Sequence, residues 1–219
     1  MVVRPEPGAS ATLERARAIG LEAVAMPLFE VGPVAWTMPD PARFDGLLLT
    51  SANAVRNGGP GLGELRGLPA YAVGEATAAA AIEAGFAVAA SGDGGVERLL
   101  GGLPAGLRLL HLCGEHRTAV TASQELTAVP VYRSAELPRP QGFERIEGQV
   151  VAVHSPRAGK RLAELAESVD RARVRIAAIS PAAAAAAGPG WERCEAAETP
   201  GEAALLALAA RLCDNRSEP

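Results

Sequence analysis

Small hydroxyl or glycine residues stand where apolar runs stop. Leu47-Leu48-Leu49-Thr50 leads into Ser51, Val150-Val151-Ala152-Val153-His154 into Ser155, and Ile176-Ala177-Ala178-Ile179 into Ser180. A fourth run, Tyr71-Ala72-Val73, ends at Gly74, with Thr77 in the following turn. Helix-favouring residues come next in each case, so each stop marks a strand giving way to a helix N-terminus. Such termini present unpaired N–H groups and the positive end of the helix dipole, and they hold anions. A serine there is also simply a good N-cap, worth about 1 kcal/mol, and any one of these residues fits that role. Four junctions in two matched pairs, about a hundred residues apart, favour a shared anion-binding cleft.

Tyr132 is the other residue with chemistry to offer. It lies in Val129-Pro130-Val131-Tyr132-Arg133, and aromatics make up only 4% of the chain. A phenol facing a cleft there would be a proton donor, though a weak one at neutral pH. An edge-of-core packing role fits its position equally well. The histidines, His111, His116 and His154, do not share a helix face at ligand spacing. His111 lies inside an apolar strand and reads as structural, whereas His154 directly precedes Ser155. Cys113, Cys194 and Cys213 are far apart and odd in number. They read as reduced thiols of a cytoplasmic protein, and no metal site is expected. No Gly-Lys-Ser/Thr phosphate loop and no Gly-x-Gly-x-x-Gly after a strand occurs, so nucleotide cofactors are not expected either.

The elements that must position these residues alternate. Val2-Val3 is a minimal apolar run, Ser10–Ala18 a helix closed by Gly20, and Leu21–Met26 a strand. Pro27, Pro33, Pro39 and Pro41 break up the next segment, which reads as a linker or extended crossing. Strands are then expected at 47–50, 70–73, 86–89, 107–113 and 128–132. Helices are expected after Ser51 and at 75–84, 96–100 and 118–126, with a loop at Gly58–Gly61. After Pro138-Arg139-Pro140 come strands at 149–154, 174–179 and 191–196 and helices at 157–168, 181–187 and 200–212. This alternation implies parallel sheets covered on both faces. The simplest architecture is two α/β domains, one inserted in the other. Residues 1–30 plus 136–219 form the outer domain and 36–130 the inserted one, with linker strands at 27–35 and 130–135.

Composition narrows the partners. With 48% hydrophobic residues, a chain of 219 residues has material for proper cores. A net charge of −4 argues against bulk attraction to nucleic acid. No apolar run reaches the roughly 18 residues of a membrane span, and the N-terminus does not read as a signal peptide. Lys160 is the only lysine, so arginine carries nearly all the positive charge.

The chain resembles the uroporphyrinogen-III synthase family. The resemblance rests on Arg4-Pro5, the Pro-bounded Met26–Pro33 crossing, and Leu48-Leu49-Thr50-Ser51-Ala52-Asn53-Ala54-Val55. It also rests on Ala72-Val73-Gly74-Glu75-Ala76-Thr77-Ala78 with Ala84-Gly85-Phe86, Val131-Tyr132, His154-Ser155-Pro156-Arg157-Ala158, and the closing 200–212 helix. It implies two flavodoxin-like parallel-sheet α/β domains joined by a two-stranded linker. It implies a cofactor-independent hydro-lyase acting on hydroxymethylbilane, a linear tetrapyrrole with eight carboxylates. The first ring's hydroxymethyl group would lose hydroxide to give an azafulvene. A spiro intermediate at the last ring would then fragment and reclose with that ring inverted. The resemblance places Tyr132 as the residue helping hydroxide leave. It places Ser51, Asn53, Gly74, Thr77, Ser155, Arg157 and Ser180 on substrate, with Arg4 as a further cation. It further implies a cytoplasmic monomer, supplied with substrate by hydroxymethylbilane synthase. The second turn departs from the family's pattern: Ser180-Pro181-Ala182-Ala183 has Ala183 where a Thr is usual, and Pro181 lacks an N–H. A non-catalytic two-domain binder of small anionic ligands, or a relative without activity, would share the strand-end donors.

Overall fold

The structure is a computed structural model and describes residues 1–92, 95–117 and 120–214. In chain order its elements are α1 (Gly8–Ala18), β1 (Phe29–Pro33), β2 (Gly46–Leu49), α2 (Ala52–Asn57), β3 (Ala70–Val73) and α3 (Glu75–Glu83). There follow β4 (Val88–Gly92), α4 (Val96–Gly101), β5 (Arg108–Gly114), β6 (Glu125–Glu136) and β7 (Val150–Val153). The chain closes with α5 (Pro156–Leu165), β8 (Arg175–Ala178), α6 (Pro181–Ala187), β9 (Arg193–Ala196) and α7 (Glu202–Asp214). It divides into two compact units, an outer one of Met1–Glu30 with Glu136–Pro219 and a middle one of Val31–Ala135.

In the outer unit β7, β8 and β9 pair in parallel. Val2 adds parallel bridges to Ala152 on one side and Ala25 on the other. The resulting order is the 2-1-3-4-5 arrangement of doubly wound sheets. Every residue of β7 and β8 is buried, as expected of strands covered on both faces. Val151, Val153, Ile176 and Ala178 meet Ala158 and Leu162 of α5 and Ala183 and Ala187 of α6. Val150, Ala152 and Ala177 meet Leu205, Leu208 and Leu212 of α7 on the other side. The buried guanidinium of Arg175 donates to Leu212 O near the end of that helix.

The middle unit contains a six-stranded sheet in the order β1-β6-β5-β2-β3-β4. The neighbours from β6 to β4 are all parallel. Val34 N–H bonds Val131 O at 3.1 Å while Leu137 N–H bonds Leu28 O at 2.9 Å, which makes β1 antiparallel to β6. Winding starts at β2, proceeds outward to β4, then restarts at β5 on the other side of β2. Leu47, Leu49, Leu110, Leu112 and Val131 form one core of this unit. Leu48, Leu99, Leu100 and Leu109 form the other.

Several expected elements differ. Leu21–Met26 is not a strand; pairing is limited to bonds such as Val2 N to Val24 O and Met26 N to Val2 O. Its partner offers only Val2-Val3 before Arg4-Pro5, so the ladder cannot extend. In the stretch 27–41, Phe29–Pro33 is an edge strand lying within the linker strand expected at 27–35, and a proline ending an edge strand is tolerated. α1 begins at Gly8 rather than Ser10, whose N–H and hydroxyl bond back to Glu6 at 3.0 Å. Pro60–Leu65 is a 3₁₀ turn that takes in the last two residues of the loop expected at Gly58–Gly61. The helix expected at 118–126 partly falls outside the described residues, and from Glu125 onward the chain is β6. Thr127, Val129 and Val131 favour that strand, and Gln124 is committed to the carbonyls of Leu100, Leu103 and Pro104.

Candidate active site

Ligands of open parallel sheets sit beyond the carboxyl ends of the strands, where the winding reverses. In the middle unit that place is between β2 and β5. A cavity of about 280 Å³ lies there, with Thr50, Ser51, His111, Arg117 and Tyr132 in its wall. A larger depression of about 590 Å³ between β4 and α4 lies away from the reversal and, among the described residues, has one charged side chain in its wall, Arg98.

Strand register builds the site. His111 on β5 pairs with Leu48 of β2 and Ala128 of β6. Its Nε2 lies 3.0 Å from the Thr50 hydroxyl. Burial, and then the positive charge of Arg117, pull the imidazole pKa down to about 4, so the ring is neutral near pH 7. Burial also pushes the Cys113 thiol up. β5 and β6 slip register between Cys113 and Gly114, which sets Gly114 opposite Tyr132. A Cβ on Gly114 would lie 2.8 Å from Tyr132 Cζ and 3.1 Å from its hydroxyl. Glycine therefore gives the phenol its place beside the cavity, and Glu115 N–H bonds Tyr132 O at 3.0 Å.

The remaining middle-unit positions lie at the starts of α2 and α3. Ser51 accepts from Asn53 N at 3.2 Å, and the Asn57 amide donates to Asn53 O at 2.9 Å. The Asn53 side chain itself is half-buried. Gly74 has φ of 83°, caps α3 and spends its own N–H on Gly92 O. The donors left on the first turn of α3 are those of Glu75 and Ala76. Thr77 is buried at 5% exposure, under the turn.

In the outer unit Ser155 accepts from Ala158 N at 3.1 Å and Ser180 from Ala183 N at 3.3 Å. Each cap is spent on its own helix, yet each hydroxyl keeps a proton to donate. Pro156 and Pro181 occupy the first helical position, where a missing N–H costs nothing to the helix. Ala183 is fully buried in the core, so its side chain is a packing group. Arg157 stacks on Phe29 at 4.5 Å and lies 3.8 Å from the Glu136 carboxylate.

Arg4 is not a free cation. It pairs with Glu202 at 3.0 Å, and Glu202 also accepts from Thr12 at 2.5 Å and lies 3.4 Å from His154 Nε2. Burial opposes ionisation of Glu202. Hydrogen bonds from His154 and Thr12, with the charges of His154 and Arg4, override it and hold the carboxyl at about 2. Sequence reasoning missed Glu202, Thr12, Thr50, Arg117 and Gly114, and read His111 as purely structural. The available signal was a histidine inside an apolar strand that ends in Cys113-Gly114.

Among the described residues no group of three or more His, Cys, Asp or Glu could hold a metal ion, and no helix is long and apolar enough to cross a membrane.

A family model described as Uroporphyrinogen-III synthase HemD matches residues 10–207. No curated protein matches the chain. Among solved structures, it is similar to the uroporphyrinogen-III synthetase of Helicobacter pylori at 21% identity and TM-score 0.63, over 88% of this chain and 93% of that one. It is also similar to a substituted uroporphyrinogen III synthase of Thermus thermophilus at 22% identity and TM-score 0.56, over 98% and 99% of the two chains. At these identities the structural likeness speaks to the fold.

Proposed function

The chain belongs to the uroporphyrinogen-III synthase family, and from that premise we propose how it closes hydroxymethylbilane into uroporphyrinogen III. The family match across residues 10–207 carries the activity. The reaction inverts the last pyrrole and releases water, as a lyase step of tetrapyrrole biosynthesis. The residue roles below are our reading of the geometry.

The electron-rich pyrroles drive the bond changes, so the protein's part is chiefly to orient a flexible chain. In the first step the C–O bond of the hydroxymethyl group breaks, with electrons pushed from the ring nitrogen. The departing hydroxide takes a proton and leaves as water. Tyr132 supplies or relays that proton from the wall of the cavity. Carboxylate arms meet donors at the strand ends: the Ser51 hydroxyl with the turn around Asn53, and the first turn of α3 after Gly74. In that turn Thr77 acts from below, by packing. In the outer unit the Ser155 and Ser180 hydroxyls do the same. Arg157 contributes by exchanging Glu136 for a substrate carboxylate, a charge-assisted contact.

The three cysteines are free, which suits a reducing cytoplasm. We place the enzyme there as a monomer that takes its unstable substrate from hydroxymethylbilane synthase. The test is a coupled assay with hydroxymethylbilane generated in situ. Spontaneous closure gives the type I isomer, and this protein should divert the product to type III. An unchanged type I yield sinks the reading.

A further inference from the structure

We infer that His111 is a positioning residue, whose Nε2–H turns the Thr50 hydroxyl so that its proton points into the cavity beside β2 and β5 and meets a carboxylate arm of the substrate. The inference rests on the reaction assigned above. It goes beyond it by giving the middle unit a carboxylate subsite made of side chains, with Arg117 as its cation.

His111 lies between Leu110 and Leu112, both fully buried, in the middle of the sheet. A polar ring there is costly unless it is hydrogen-bonded, and Nε2 finds Thr50 Oγ1 at 3.0 Å. Packing alone does not ask for a histidine at this position. The ring is neutral, so it carries a single N–H, and the tautomer decides the direction of the Thr50 bond. With the proton on Nδ1, Thr50 must donate to Nε2. Thr50 would then turn only lone pairs to the cavity, and a carboxylate would be repelled. With the proton on Nε2, Thr50 accepts and its own O–H is free to donate. Only this second arrangement fits a polycarboxylate in a cavity whose wall also carries Arg117 and the Tyr132 phenol. His111 itself adds no charge; it orients a neutral donor, and Arg117 supplies the Coulomb attraction.

Two measurements test this. Imidazole ¹⁵N NMR of the ligand-free protein at pH 7 should show His111 as the Nε2–H tautomer, and the Nδ1–H tautomer overturns the inference. In the coupled assay, His111→Leu should raise KM for hydroxymethylbilane about tenfold, as expected for one lost hydrogen bond to a charged group. The rise in KM should far exceed the fall in kcat. Thr50→Val should match it, and the double variant should be no worse than either single one. His111→Gln, whose amide N–H can stand near the Nε2 position, should recover most of the KM. A packing role predicts the opposite order, with His111→Leu near wild type and His111→Gln worse, and that result also overturns the inference. Should His111→Leu fail to fold, Thr50→Val and His111→Gln still decide. A wild-type protein that makes no type III isomer removes the reaction itself, whereas the tautomer is measured without turnover.

Discussion

Tyr132 can stand beside the cavity because Gly114 has no side chain. A methyl on Gly114 would lie 2.8 Å from the ring, so the phenol must swing away in Gly114→Ala. Tyr132→Phe removes only the hydroxyl. Both variants should lower kcat roughly ten- to a hundredfold, at or below the low end of general-acid contributions. Tyr132→Phe should melt like wild type, while Gly114→Ala should lose about 1–3 kcal/mol through overpacking. A wild-type rate in Tyr132→Phe removes Tyr132 from proton transfer. Glu202 carries a clear electrostatic signature, held at about 2 instead of its ordinary 4.5. A lowered carboxyl pKa adds stability that is complete above the ordinary value and is lost as pH falls toward the folded one. Thermal melts from pH 6 to 2 should therefore drop most steeply below about 4.5. Glu202→Gln should start less stable and decline less steeply. Some slope should survive, because hydrogen bonds from Arg108 hold Asp45 at about 2 as well. Parallel curves for variant and wild type would mean Glu202 is not the source.

Where a strand hands over to a helix, local chemistry decides, and this was legible in the sequence. Ser51, Ser155 and Ser180 each cap the helix that follows, because the cap bond spans only two or three residues. The parallel α/β alternation and the family resemblance came from the same order of motifs. What depended on distant partners was not legible. Thr50 and His111 are 61 positions apart, and nothing local says that β2 and β5 are neighbours. Leu21–Met26 failed as a strand for want of a longer partner. The close fit of α5 on α6 was equally hidden. A Cβ on Gly159 would lie 2.6 Å from Ala183 O and 3.0 Å from Ala187 N, both backbone atoms that cannot step aside. Gly159→Ala should therefore cost about 1–3 kcal/mol on denaturant unfolding, despite alanine's better helix propensity; a stabilised variant would contradict this packing. Ser155→Ala and Ser180→Ala should each cost about 1 kcal/mol as lost caps. If either serine also holds a carboxylate, its variant shows a raised KM as well; a change in stability alone leaves that serine as a cap only.

Each unit has cores of its own, with about a hundred residues to build them, which is enough for independent folding. Leu162, fully buried, anchors the outer unit's core between its sheet and α5, and Leu110, also fully buried, does the same for the middle unit. Calorimetry should accordingly resolve two transitions. Truncation to alanine at either site costs about 2–5 kcal/mol. Leu162→Ala should therefore lower one transition by several degrees, and Leu110→Ala the other. Equal shifts of a single transition would mean that the units unfold together. Once the transitions are assigned, the same experiment locates the substrate's carboxylates. A ligand that binds only the folded state stabilises it by RT ln(1 + [L]/Kd), with [L] the free ligand concentration. Uroporphyrinogen III, kept reduced, should raise the middle unit's transition through Arg117 and Ser51, and the outer unit's through Ser155, Ser180 and Arg157. A rise confined to the middle unit would assign binding to the cavity around Thr50, and it would reduce the outer unit's serines to helix caps.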